Sequence, residues 1–170
     1  MIQAQFSGDR ITSLSEDAFS FYEKSCFGEK KRNKIEYTGV EALFLIEEGK
    51  MKTFSGKKSI SFDELNKKIK KRDEKIEIKF VVYQDLRKRG YIIKTALKFG
   101  AEFRVYDKGV KPGENHARWI LFTVKEHDAL NWHDFAAKNR VAHSTQKNLL
   151  IAIVDEESDV SYYECQWLRP

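Results

Sequence analysis

The chain has 170 residues and a mass of 19.9 kDa, enough for one ordinary domain or two small ones. Hydrophobic residues make up 41% and charged residues 34%, so the chain can bury a core beneath a heavily charged surface, which argues against disorder. The longest uninterrupted apolar run, Leu149 to Val154, is far too short to span a membrane, and the N-terminus lacks the basic and apolar regions of a secretory signal. Cys26 and Cys165 form neither a disulfide framework nor a zinc pattern, and a reducing cytoplasmic setting fits best.

Charge is unevenly distributed. Residues 1–77 hold 16 Lys/Arg against 14 Asp/Glu, residues 78–154 hold 14 against 7, and the last 16 hold one arginine against five acids. A basic centre suits a polyanion such as nucleic acid, whereas the acidic end suits a basic surface, such as one on another copy of the chain.

In chain order, Ile2, Ala4 and Phe6 alternate before a Gly8-Asp9 turn, which predicts a strand or hairpin. Ser13-Leu-Ser-Glu16, Thr38-Gly-Val-Glu41 and Ser61-Phe-Asp-Glu64 each spell a capping box before a helix, and Gly49 is placed to end the second helix as a left-handed cap. A domain boundary is expected near Glu77, giving domains 1–77 and 78–170. Beyond it, IKFVVYQDLRKRG predicts a helix with Phe80, Val81 and Leu86 inward and Gly90 as its stop. YIIKT and KFGAEFRVY predict strands, the latter with Phe103 and Val105 on one face and Glu102, Arg104 and Tyr106 on the other. A loop from Asp107 to Asn115 precedes the buried strand ARWILFTV. Asn131 to Thr145 predicts a helix capped by Asn131, and LLIAIV, DEESD and VSYYECQWL predict strand, turn and strand. The pattern is a mixed α/β (α+β) chain.

Three residues of the second half stand where chemistry is possible: Tyr106 at a strand end, His116 closing a loop, and Lys147 between a helix and a buried strand. Taken singly each has an ordinary structural explanation: a tyrosine packs at strand ends, a loop histidine is solvated, and a lysine complements a helix C-terminus. Composition and spacing alone reach only a basic α/β domain able to bind nucleic acid.

The run VVYQDLRKRGYIIKTALKFGAEFRVYDKG, followed by NHARWILFTV and RVAHSTQKNLLIAIVDEESDVSYYE, resembles the archaeal-type tRNA-splicing endonuclease family. The first 77 residues match more loosely, through the VEALFLIEEGK and SFDEL helices. The resemblance implies a small N-terminal α/β domain and a C-terminal mixed-sheet nuclease domain related to the restriction-endonuclease-like fold. It implies cutting of precursor tRNA at two bulges flanking a short helix, without metal or other cofactor, leaving 2′,3′-cyclic phosphate and 5′-hydroxyl ends. The family's catalytic tyrosine, histidine and lysine fall on Tyr106, His116 and Lys147. An alternative is a non-catalytic RNA-binding or scaffold subunit of such an enzyme, against which the presence of all three residue types argues.

These roles fit elementary chemistry. Without a metal, a base must take the 2′ proton, an acid must protonate the departing 5′ oxygen, and added charge on the phosphoryl oxygens must be stabilised. Lys147 suits the last task and His116 the acid role. Tyr106 is the awkward base, since a free phenol has a pKa of about 10; a cation such as Lys147 beside it would favour the phenolate. The residues offer little to metal: the histidines, His116, His127, His133 and His143, are irregularly spaced, and Glu77-Ile78-Lys79, an E-x-K triplet of the kind magnesium nucleases use, lacks an obvious upstream acid.

The family also sandwiches a flipped bulge base between two flat cationic or aromatic groups. One falls on Arg140; for the other, near the C-terminus, the sequence offers Trp167, which could equally pack in a core, or Arg169. His143, three residues after Arg140, shares its side of the helix and could face the same cleft, although a solvated helix-face histidine is the ordinary reading. The resemblance further implies a homotetramer, a dimer of dimers. In it the acidic turn Asp155, Glu156, Glu157 and Asp159 enters a basic cleft of a neighbouring copy, and the last strand meets its symmetry mate.

Overall fold

A computed structural model of the chain describes residues 1–168. The chain forms two compact units, Met1–Tyr83 and one beginning at Gln84; this division and the expected boundary at Glu77 both fall within one helix, Ile76–Lys88 (α4). Among the described residues, no helix is long and apolar enough to cross a membrane.

In the first unit, strands β1 (Ile2–Ser7), β2 (Arg10–Ser13), β3 (Glu29–Lys31), β4 (Lys34–Tyr37), β5 (Met51–Ser55) and β6 (Lys58–Ile60) form one sheet in the order β3-β4-β2-β1-β5-β6. The alternation read at the N-terminus holds, with Ile2 and Ala4 fully buried. Helices α1 (Glu16–Ser25), α2 (Gly39–Glu47) and α3 (Phe62–Lys70) complete the unit.

Two of the three expected capping boxes form as spelled, at Thr38/Glu41 and Ser61/Glu64. The first does not: α1 is capped by Ser15, whose hydroxyl accepts from Ala18 N. Ser13 is kept in β2 by pairing with Ile35, and its hydroxyl donates to Gln3 O at 2.5 Å. Helix α1 starts at Glu16, which makes Ser15 its N-cap and leaves Ser13 two residues too early. Gly49 is left-handed, as expected, with φ of 66°.

Glu41 does more than cap. Its buried carboxylate accepts from Gly28 N, Thr38 N and the Thr38 hydroxyl, each at 3.0 Å. Gly28 needs both its positive φ of 74° and its missing side chain, because a Cβ there would lie 2.4 Å from Ile35 Cγ2. Glu41→Ala strands these donors in the interior. It should cost about 3 kcal/mol, summed from a lost cap and buried unsatisfied N–H groups, read as a lower denaturation midpoint.

The inward face of α4 differs from the expected one. Leu86 is buried as expected, but Ile76, Ile78, Val82 and Tyr83 are the other buried residues, while Phe80 and Val81 are half-buried. Phe80 instead packs edge-on against Phe62, with centroids 5.5 Å apart.

The second unit is a five-stranded mixed sheet in the order β11-β10-β9-β8-β7. Its strands are β7 (Ile92–Ala96), β8 (Ala101–Tyr106), β9 (Trp119–Lys125), β10 (Asn148–Val154) and β11 (Val160–Cys165). Only the β9–β10 pair is parallel, because helix α5 (Trp132–Ser144) carries the chain across between them; the other pairs are antiparallel. Asn131 caps α5 as expected, accepting from Asp134 N. Ile120, Phe122, Leu149 and Ile151 form a core with Ala96, Ala101 and Ala142, against which Phe99 and Phe135 pack. Each large aliphatic side chain buried there contributes roughly 1.5–3 kcal/mol. The final strand stops at Cys165, so Gln166, Trp167 and Leu168 lie beyond it.

Candidate active site

Tyr106 is the last residue of β8. The following connection, residues 107–118, leads into β9 and carries His116, while Lys147 separates α5 from β10. Backbone hydrogen bonds tie the three positions together. Arg118 N donates to Val105 O, and Asn148 N donates to Arg118 O, both at 3.0 Å. Val105 precedes Tyr106, Arg118 lies two residues after His116, and Asn148 follows Lys147. Residues 41 positions apart in sequence are thus brought together by the sheet itself.

Lys147 is further fixed by the way α5 ends. Gln146 is left-handed, with φ of 56°; Gln146 N donates to His143 O and Lys147 N to Ala142 O. This pair of bonds is a Schellman motif, with Lys147 as the second residue past the cap. Lys147 Nζ donates to Thr145 O at 2.7 Å, so the ammonium sits at the electronegative helix terminus. Burial, and then the positive charge of Arg104, lower its pKa from the ordinary lysine value. Gln146→Gly relieves the left-handed strain and should raise stability by about 1 kcal/mol, whereas a β-branched valine there should lower it by about 1–3 kcal/mol and displace Lys147. Thermal unfolding separates the two.

The connection carrying His116 is a chain of turns. Val110 N donates to Asp107 O and Glu114 N to Lys111 O, with Gly109 and Gly113 at positive φ. His116 N donates to Asn115 Oδ1 at 2.7 Å. Arg118 closes the base of the loop, 3.4 Å from Asp107 and 3.7 Å from Glu164, with its guanidinium over the Trp119 ring.

Tyr106, His116 and Lys147 all line one pocket of about 390 Å³, together with Phe99, Arg104, Gly113, Glu114, Asn115 and Ala117. The sequence singled out none of these six neighbours as site residues, and two of them, Arg104 and Phe99, lie against Tyr106 and Lys147. Arg104 shares the Tyr106 face of β8, so strand alternation already pointed to it. Phe99, whose ring lies 5.8 Å from Lys147 Nζ, is set by a 3-10 turn (Leu97–Phe99) that ends on left-handed Gly100; the sequence reading gave that segment as strand.

The other sequence candidates lie elsewhere. Arg140 is exposed on α5 and does not line this pocket. Trp167 is half exposed rather than part of a core, and its ring packs on that of His143, with centroids 4.4 Å apart. His143 is therefore an aromatic contact rather than a purely solvated residue, and it places Trp167 one helical turn from Arg140. Arg169 lies outside the described residues. Asp155, Glu156, Glu157 and Asp159 belong to the β10–β11 hairpin tip, where Asp159 N donates to Asp155 Oδ1 at 2.8 Å. The E-x-K triplet does not make a paired site: it lies in helical α4, where Glu77 and Lys79 point apart, Glu77 bonding Lys70 and Lys79 bonding Asp73. Among the described residues, no three His, Cys, Asp or Glu side chains are grouped to hold a metal ion.

Fold and pocket together define a class: a two-unit α/β chain whose mixed-sheet unit brings a phenol, an imidazole and an amine to one cavity, a set suited to acid–base and phosphoryl chemistry. Comparison with known proteins narrows it. Residues 76–162 match the catalytic C-terminal domain of tRNA intron endonuclease, and residues 2–66 match that family's N-terminal domain. A tRNA-splicing endonuclease of Thermococcus onnurineus is 42% identical over 169 residues, covering 99% of this chain and 97% of the relative. One from Pyrococcus abyssi is 41% identical over 170 residues, covering 99% and 98%. One from Methanothermobacter thermautotrophicus is 35% identical over 165 residues, covering 96% of each. The chain belongs to the tRNA intron endonuclease family.

Proposed function

We propose that the chain excises introns from precursor tRNA by cutting bulge-helix-bulge motifs, with Tyr106 as base, His116 as acid and Lys147 as the charge clamp. The observation that carries this reading is the convergence of these three side chains on one pocket in a member of this family. In the reaction, Tyr106 takes the proton of a bulge ribose 2′-hydroxyl. The 2′ oxygen attacks the adjacent phosphorus, the P–O5′ bond breaks, and His116 gives its proton to the departing 5′ oxygen. The products are a 2′,3′-cyclic phosphate and a 5′-hydroxyl. Lys147 stabilises the charge that gathers on the non-bridging oxygens. No metal is part of the scheme.

Arg140 and Trp167 supply the flat groups that stack on a bulge base, and the contact of Trp167 with His143 on the Arg140 helix supports their acting together. Self-association as a homotetramer has two supports. β11 is an edge strand, and beside it Leu130, Trp132 and Tyr163 expose apolar surface around a mainly apolar groove. The acidic hairpin tip offers a second contact, to a basic surface of another copy.

The test is incubation, with excess EDTA, of an RNA carrying two short bulges around a helix, followed by analysis of the product ends. Wild type should cut both bulges and leave cyclic phosphate, and Lys147→Ala should be slower by about 10²–10³-fold. Binding without cutting would support a scaffold role instead, and cutting only after magnesium is restored would sink the triad mechanism.

A further inference from the structure

The proposed mechanism leaves one cation of the pocket without a task. Arg104 lines the cavity with Tyr106, His116 and Lys147. Its guanidinium carbon lies 6.0 Å from the centre of the Tyr106 ring. Its Nε is buried and has no hydrogen-bond partner. The β7 residue opposite it is Lys94, also a cation, so that ladder position supplies no counter-charge. Glu102, two residues earlier on the same face, accepts from Thr123 N. Arg104 is close enough to Lys147 for their like charges to oppose one another. A buried guanidinium N–H without an acceptor, next to a second cation, is an unfavourable arrangement that a bound anion relieves. A guanidinium also presents directed donors matched to phosphoryl oxygens, which an ammonium does not.

We propose that Arg104 is a phosphate-contacting residue of this site, its guanidinium donating to a non-bridging oxygen of the phosphate under attack. Lys147 and Arg104 then hold that phosphate from two sides, and the Tyr106 ring beneath the guanidinium stays beside the ribose. The inference rests on the reaction proposed above.

The experiment uses the full chain and three RNAs: the ordinary two-bulge substrate and the two phosphorothioate diastereomers with sulfur replacing one non-bridging oxygen at the cut. Single-turnover rates are measured for wild type, Arg104→Gln and Arg104→Lys, together with affinity for an uncleavable RNA having a 2′-deoxyribose at the cut. Arg104→Gln should slow the oxygen substrate by about 10²-fold, the scale set by loss of one donor to a developing oxyanion. It should also erase most of the wild-type penalty for one diastereomer, because the contact that sulfur weakens is already gone. Arg104→Lys should regain part of the rate but not the diastereomer preference. Affinity for the deoxy RNA should fall by less than the rate does, and the thermal midpoint should change little. A merely structural arginine would slow all three substrates by one factor, and that result, or an unchanged rate, overturns the proposal. An inactive wild type overturns the underlying reaction and the proposal with it; an active wild type with uniform loss overturns the proposal alone.

Discussion

His116→Ala should slow cleavage by roughly 10²–10⁴-fold, the usual contribution of a positioned general acid. It should also change the shape of the pH–rate profile. An acid works only in its protonated form, and imidazole is the side chain that loses its proton nearest neutrality. A modified leaving group isolates the role. An RNA with sulfur in place of the 5′ oxygen at the cut departs as a thiolate, and thiols ionise near pH 8.5, so protonation hardly helps it. The variant should cleave that RNA at close to the wild-type rate. A penalty as large with sulfur as with oxygen would remove His116 from the acid role, and an unchanged pH profile would do the same. The loop geometry favours a clean outcome: His116 is exposed, and the loop is held by its turns and by the Arg118 pairings rather than by the imidazole.

What could be read from the sequence follows the range of the interactions. The Thr38 and Ser61 caps were legible because a capping box spans four residues and needs nothing from elsewhere. The identical pattern at Ser13 misled, because a strand partner distant in sequence, Ile35, holds that residue in β2. The β3–β4 hairpin left little trace. β3 is Glu-Lys-Lys, fully exposed, and the turn after it places Arg32 at a φ of 56° without a glycine to mark it. For the site, Tyr106, His116 and Lys147 came from resemblance; spacing alone could not join a strand end, a loop and a helix terminus. Arg104 was already on the right face of its strand, but alternation says which residues share a face and not which of them lack partners. The Trp167–His143 contact was illegible because it forms after the last strand has ended.

The second large effect is expected at Tyr106. Tyr106→Phe removes one hydroxyl and keeps a buried ring under the Arg104 guanidinium, so folding and phosphate binding should persist. Loss of a general base should cost roughly 10²–10⁴-fold in the single-turnover rate near neutral pH. Affinity for the 2′-deoxy RNA should hold, which separates chemistry from binding. The diagnostic lies in how the residual rate depends on pH. Without the phenol, hydroxide must remove the 2′ proton, so the variant's rate should climb about tenfold per pH unit while His116 stays protonated, since hydroxide itself rises tenfold per unit. Wild type should lose that steep dependence once its own base is in the active form. A Phe variant that tracks the wild-type profile at a constant lower rate would mean that Tyr106 positions the ribose rather than deprotonating it. In that case the proton must leave by another group facing the pocket. Beside the acid His116 and the clamp Lys147, the pocket lining holds the Glu114 carboxylate as a proton acceptor, and Glu114→Gln would then become the next variant to test.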